Sequence, residues 1–295
     1  MRRALVFVAV LCVGLLAGVP ALAAGAGSGV ERDVAFGLDA EGFSVRVDVD
    51  NNDGDVGATI VLRRGPRVAY YSAPAKVTAD RVTARFGSLG ELDYRFRPKP
   101  NGSVECDGAE EGEAVFEGSF VFTGENGYVH VDAPATEGTF RISPEPKSCS
   151  QARLARRAVP YSPVYGGKGA TLEAKAGSRV NGRTLEVTDF GADKRGRRAV
   201  LVEGFLSEER EGVSVARGVQ LIAGSGAFRW NLEKGTATLR PPAPFTGSAT
   251  FTRRGKGRPG TWKGALAMPV LGGDPVKLAG REFHASIHKG VPQDE

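Results

Sequence analysis

Histidine, cysteine, methionine and tryptophan are all scarce in this chain of 295 residues, at three, three, two and two copies. Each scarcity removes a class of chemistry. With three histidines and no G-x-S-x-G segment, serine catalysis has no anchor. His284 and His288 invite a metal, but in FHASIH at 283–288 they alternate with Phe283, Ala285 and Ile287. That is a strand with both imidazoles outward, and four residues along a strand span roughly 13 Å, too far to share one ion. His130 alternates with Tyr128 and Asp132 in the same manner and reads as part of a polar surface row. GGKG at 166–169 lacks the upstream glycine and the following Ser or Thr of a phosphate loop. No cofactor is expected.

Long apolar runs are equally rare. The single one, residues 4–19, follows Arg2 and Arg3 and precedes Ala21-Leu22-Ala23, the small-residue pattern that a signal peptidase reads. Its length falls short of the roughly 20 residues a spanning helix needs. Cleavage after Ala23 is expected, leaving no transmembrane segment. The cut removes Cys12, which lacks the preceding small residue that lipid attachment requires, and lowers the net charge from +5 to +3 by taking away two arginines. So small a charge excludes the concentrated basic face of a nucleic-acid binder. The pI near 9.2 fits mild attraction to anionic surfaces such as cell-wall polymer.

Export also decides the reading of Cys106 and Cys149. In an oxidising compartment the two are expected to form a disulfide. Closing that loop of 44 residues (149 − 106 + 1) is worth about 4 kcal/mol in the chain-entropy model.

What the chain does have is alternation. No segment longer than ten residues keeps a helical period of apolar positions, whereas FSVRVDVD at 43–50 sends Phe43, Val45, Val47 and Val49 one way and its polar residues the other. Such a strand has one buried and one wet face. The tip at 51–55 leads into Val56, Ala58, Ile60 and Leu62, a hairpin on an Asp-Gly turn. The pattern runs on through 82–86, 92–96, 116–122, 128–131 and 140–142. At 144–169 proline, serine, glycine and arginine replace it, and the stretch reads as a linker. A second series follows, with strands at 172–176, 185–187, 199–205, 213–222, 228–232, 236–240, 245–252, 262–270 and 283–288. The expected fold is therefore all-β: a signal peptide at 1–23, then two tandem antiparallel β-sandwich-like modules at 30–143 and 170–290. FEGSFVFT at 116–123 matches FTGSATFT at 245–252 at five of eight positions, which suggests an internal repeat.

That F-x-G-S-x-x-F hairpin, together with PPAPF at 241–245, WKGAL at 262–266 and LAGREFHASI at 278–287, resembles a group of uncharacterised exported proteins of GC-rich Gram-positive bacteria. The usage of 28 Arg against 11 Lys agrees with such a genome. The resemblance implies secretion and β-sandwich architecture. It brings no activity and no functional residues.

Candidate binding residues are few. Asp48, Asp50, Asp53 and Asp55 crowd oxygens as a calcium loop does, although their spacing fits a polar hairpin tip better. Basic clusters at 63–64, 194–198 and 253–258, the last supplying Arg253, Arg254, Lys256 and Arg258, suit an anionic wall polymer. Tyr161 and Tyr165 in the linker are placed to stack on sugar rings. Glycosidase chemistry needs two carboxylates about 5–10 Å apart, and nearly every Asp and Glu here lies on a polar strand face or in a turn. Asp189 and Glu203 depart slightly, each read as adjoining a turn. The expectation is a secreted or envelope-associated, non-catalytic protein that binds a surface component, such as cell-wall polymer or a glycan, or acts as a scaffold. The alternatives are a secreted carbohydrate-active enzyme and a calcium-dependent adhesin. Nothing in the sequence marks an oligomeric state.

Overall fold

Alternation builds the first hairpins as expected. In β2 (Phe43–Asn52), Phe43, Val45, Val47 and Val49 are 0–2% exposed, and in β3 (Asp55–Arg64) Ala58, Ile60 and Leu62 are fully buried. Strand β1 (Glu31–Ala40) reaches β2 through Glu41 and Gly42, with φ of 51° and 77°, a type I′ turn that matches strand twist. The computed structural model describes residues 31–52, 55–100, 102–104, 109–143, 169–178, 180–192, 196, 198–253, 260–279 and 284–289. Among them there is no α-helix, and no helix is long and apolar enough to cross a membrane.

The first unit continues with β4 (Arg67–Val77), β5 (Arg81–Arg85), β6 (Gly90–Pro98), the short β7 (Ser103–Val104), β8 (Glu110–Thr123) and β9 (His130–Ser143). Every pairing is antiparallel, in the order β4-β3-β2-β1-β9-β8-β6-β5, and β5 returns to β4 through Ala75↔Ala84 and Val77↔Val82. The sheet thus closes into an eight-stranded barrel, where the sequence had suggested two facing sheets. The physical reason is that β4 carries two neighbours on one edge. Residues 67–72 pair with a strand of the second unit, and residues 75–77 pair with β5. Pro74, which has no N–H to give to a ladder, lies at the switch.

An eight-stranded barrel is just wide enough for side chains to fill, and here aromatics fill it. Phe36 packs against Tyr94, Phe116 and Phe120 with ring centroids 5.2–5.7 Å apart, and Tyr71 meets Phe122 at 5.0 Å. These are the edge-on and tilted arrangements that aromatic quadrupoles favour.

The second unit comprises β10 (Ala170–Gly177), β11 (Gly182–Ala192), β12 (Arg198–Arg210), β13 (Val213–Gly224) and β19 (His284–Lys289), which extend the barrel's sheet as β4-β13-β12-β11-β10-β19. A separate sheet, β14 (Phe228–Asn231), β15 (Thr236–Leu239), β16 (Thr246–Thr252), β17 (Thr261–Met268) and β18 (Val276–Ala279), faces it. Leu185, Val187, Val200 and Val202 from the first sheet and Phe228, Phe251, Trp262 and Leu266 from the second form one apolar cluster. The two units are not beads on a string. The β13–β4 pairing runs from Ser214↔Ser72 to Val219↔Arg67, and Val213, Val215 and Leu271 join the barrel's own core.

The two FxGS segments lie in β8 and β16. Gly118 and Gly247 both have positive φ, 151° and 91°, and in both a Cβ would strike a carbonyl of the adjacent strand, Asp93 on β6 and Ala265 on β17. The neighbour differs, because β6 precedes its copy and β17 follows.

Candidate functional site

Residues 185, 187 and 189 of β11 point the same way, toward the core between the two sheets. Leu185 and Val187 obey that rule with apolar side chains, and Asp189 breaks it while only 2% exposed. The strand bulges just beyond: the register shifts between Asp189 and Ala192, and Gly191 has φ of 80°. Asp189 Oδ1 accepts the Gly191 N–H at 2.8 Å. Its Oδ2 accepts Nη2 of Arg198 on β12 at 2.7 Å and the indole N–H of Trp230 on β14 at 2.9 Å. A buried carboxylate is costly unless paired and hydrogen-bonded; this one has both, and its two outward partners come from the two different sheets.

Above it lies an open recess of about 490 Å³ lined by Arg198, Ser225, Phe228, Arg229 and Trp230. Phe228 forms the buried floor, Trp230 is half-buried, and Arg229 is exposed. The Arg198 guanidinium carbon stands 6.0 Å from the Trp230 ring centroid, at the outer limit of a cation–π contact. Asp189 fixes the tryptophan edge and one arginine, so the recess presents an aromatic surface beside guanidinium groups. It can take an anion and a flat apolar face together.

A second cluster lies on the other face of the same sheet. Glu173, Glu186, Glu203 and Gln220 stand directly opposite one another across β10, β11, β12 and β13. Side chains so paired have Cβ atoms roughly 4.5–5.5 Å apart. Gln220 donates to Glu203 at 2.5 Å and accepts from Arg63 Nη2 at 2.8 Å, while Thr188 donates to Glu186 at 3.4 Å. Partial burial raises both carboxyl pKa values; the neighbouring Glu203 and Glu173 add to the rise at Glu186, and Gln220 and Arg63 oppose it at Glu203. Glu203 is thus in mid-strand, not beside a turn as its sequence position had suggested.

The third cluster joins the units. Along β13 the inward row reads Val213, Val215, Arg217, Val219; the first two belong to the barrel core and the last to the second core. Arg217, 5% exposed, sits between them. Its Nη1 ion-pairs with Glu125, in the turn between β8 and β9, and its Nη2 meets Glu208 at 3.1 Å. Arg210 completes a ring, 3.1 Å from Glu125 and 2.7 Å from Glu208. Beside it the Tyr71 and Tyr128 hydroxyls share a hydrogen bond at 2.9 Å, and burial pushes Tyr71 up to about 12. Asn126 donates to the Gly272 carbonyl at 2.6 Å.

No family model matches the chain, and no curated protein matches it. Among solved structures, one from Nitrosomonas europaea, of a protein proposed to be an AttH, aligns over 88% of this chain and 92% of its own at 9% identity with a TM-score of 0.25. So slight a likeness carries no argument.

The sequence-derived candidates are not brought together. Asp48 is bound by Arg46 Nε at 2.8 Å, and Asp50 is raised by partial burial and by Asp33 and Asp48. Asp53 and the side chain of Asp55 lie outside the described residues, as do Cys106, Cys149, Tyr161, Tyr165, Arg254, Lys256 and Arg258. Arg253 follows β16, its N–H bonded to the Gly235 carbonyl at 2.8 Å, and does not line the recess. His284 is exposed on an edge strand whose Ala285 and Ile287 are buried. His130 meets the Thr123 hydroxyl at 3.0 Å. Among the described residues no group of His, Cys, Asp and Glu is arranged to hold a metal ion. The residues that do converge, Asp189, Arg198, Arg229 and Trp230, announce themselves in sequence only through the inward position of Asp189 and the basic cluster at 194–198.

Proposed function

We propose that the chain is a non-catalytic binding protein, secreted or held at the cell envelope, whose contact surface for a wall polymer or glycan is the recess of the second unit. The observation that carries this reading is Asp189. A buried carboxylate that also caps the bulge at Gly191 holds an arginine and a tryptophan at the mouth between two sheets. Export is supported by the leader at 1–23 and by the resemblance to exported proteins of GC-rich Gram-positive bacteria. A tandem sandwich-like architecture is supported for the second unit by the core its two sheets share. The test is a wall-polymer and glycan binding screen of the mature chain beside a hydrolysis panel of polysaccharides, esters and peptides. Binding without turnover, weakened by Trp230→Ala, is expected; turnover of any substrate overturns the reading.

One observation favours a carbohydrate-active enzyme instead. Glu186 and Glu203 are adjacent carboxyls with raised pKa values, the raw material of acid and base catalysis. If that is their role, Glu203→Gln abolishes a hydrolytic activity that Trp230→Ala leaves partly intact.

A further inference from the structure

We infer that the recess selects saccharides bearing an oxyanion, a carboxylate or a phosphate on the sugar or polyol, over neutral ones. The inference rests on the reading of the recess as a binding surface and goes on to say what it binds. Three features converge. First, the charge is one-sided: Asp189 is turned inward, 2% exposed and already paired with Arg198, so the recess lining offers solvent the outer side of Arg198 and the exposed Arg229, a net of one positive charge. A planar guanidinium meets a carboxylate or phosphate through two parallel N–H bonds, and its weak hydration keeps that exchange with water favourable. Second, Trp230 is held edge-on by its bond to Asp189. Its half-buried ring, above the buried Phe228, gives an apolar platform of the kind a sugar's C–H face covers. Third, the size fits. At about 490 Å³ the recess lies toward the lower part of the roughly 300–1,000 Å³ usual for small-molecule sites, room for a short stretch of sugar. A single-stranded nucleic acid needs a longer basic groove with several stacking rings. One arginine braced by an acid and a second, exposed arginine make a local, shallow positive site.

Trp230 is its own reporter, since the chain's other tryptophan, Trp262, is buried in the second core. The mature protein is titrated, by tryptophan emission and calorimetry, with a polygalacturonate oligomer, a polyol-phosphate polymer, a neutral gluco-oligosaccharide and oligo-dT. Binding is expected to the first, the second or both, with a shift in emission. It should weaken about tenfold or more in Arg229→Ala, which loses a charged hydrogen-bond donor, and weaken in 0.5 M salt. Arg229 is exposed, so its replacement leaves the fold intact, and an unchanged circular dichroism spectrum checks this. Trp230→Phe should abolish the emission change while keeping most of the affinity. If the neutral oligomer binds as tightly as the charged ones and Arg229→Ala changes nothing, the oxyanion inference fails while the binding-protein reading survives. If no saccharide binds, both fail. Tighter binding of oligo-dT than of any saccharide overturns the inference in favour of nucleic acid.

Discussion

Replacing Arg217 with methionine is the sharpest test of how the two units are joined. The guanidinium is 5% exposed and Glu125 is 7% exposed, so the substitution leaves a carboxylate buried against Tyr71 and Tyr128 with only the more exposed Arg210 nearby. Breaking a buried pair from one side costs about 3–5 kcal/mol. At roughly 2–4 °C per kcal/mol for a protein of this size, the melting temperature should fall by about 6–20 °C. The ring is imperfectly satisfied: Arg217 Nε and Glu125 Oε1 are buried without a hydrogen bond, even though Arg210 stands 3.1 Å from that oxygen. Proximity there supplies Coulomb attraction without alignment. A half-satisfied buried network is inferior to an apolar one, so Glu125→Leu with Arg217→Met should recover most of the loss, which is non-additivity of the kind a double-mutant cycle measures.

The assay is urea unfolding followed by tryptophan emission and circular dichroism. The control is Arg81→Ala, because Arg81 and Asp93 pair at 2.5 Å while 49% and 41% exposed, and surface pairs are worth about 0–1 kcal/mol. The reasoning is refuted if Arg217→Met costs no more than Arg81→Ala, or if the double variant is less stable than either single one. Because β13 pairs with β4 and lends Val213 and Val215 to the barrel core, the wild type should unfold in one transition. Two resolved transitions would show the junction to be weaker than its contacts imply.

Other outcomes follow from the same structure. Chelator should leave the melting temperature unchanged, since Asp48 is already engaged by Arg46; a drop of several degrees would instead support a calcium site at 48–55. Reduction of the mature chain should destabilise it by about 4 kcal/mol if Cys106 and Cys149 close their 44-residue loop, and an identical urea midpoint with and without reductant would exclude that bond. Burial raises the pKa of Glu186 in the folded state above its ordinary value of 4.5, so the native form holds its proton more tightly than the unfolded chain, and this contribution to stability is full below that value and lost as pH rises through the folded pKa. Glu186→Gln, which stays neutral, should therefore be more stable than wild type at pH 7–8 and lose the advantage below about pH 4; urea midpoints across that range decide it.

The strands were legible where the inward row was uniform. Phe43, Val45, Val47 and Val49 alternate without a break, and β2 is where they indicate. β4 was not legible, and it decides the topology. Val68 and Ala69 are buried in succession and Pro74 interrupts the run, because this strand serves β3 on one edge and two different strands on the other. Barrel closure depends on a three-residue ladder between β4 and β5, and nothing in either segment distinguishes that from the end of an open sheet. The segments expected to form a leader, a disulfide and most of a linker fall outside the described residues. The recess was half legible. Asp189 was visible as an exception to alternation, but its partner Trp230 is 41 residues further on and belongs to the other sheet, and no periodicity connects them.

Asp189 and Arg217 carry the same signature, a charge in a row of inward apolar residues, and they have opposite consequences. The difference is what lies beyond each side chain. Arg217 looks across β13 into a second core, so its partners Glu125 and Glu208 must be supplied by the protein, and the charge is closed off between two apolar clusters. Asp189 lies where the space between two sheets opens to solvent, so its partners Arg198 and Trp230 have one side on the core and the other on water. An inward charge thus marks a seam, and only a seam that opens outward can meet a ligand. It follows that exchanging the two chemistries should be asymmetric: Asp189→Asn, whose single amide oxygen can keep the Gly191 N–H while its NH2 group faces the donors of Trp230 and Arg198, should change ligand affinity as well as stability, whereas Arg217→Met should change stability and leave ligand affinity untouched.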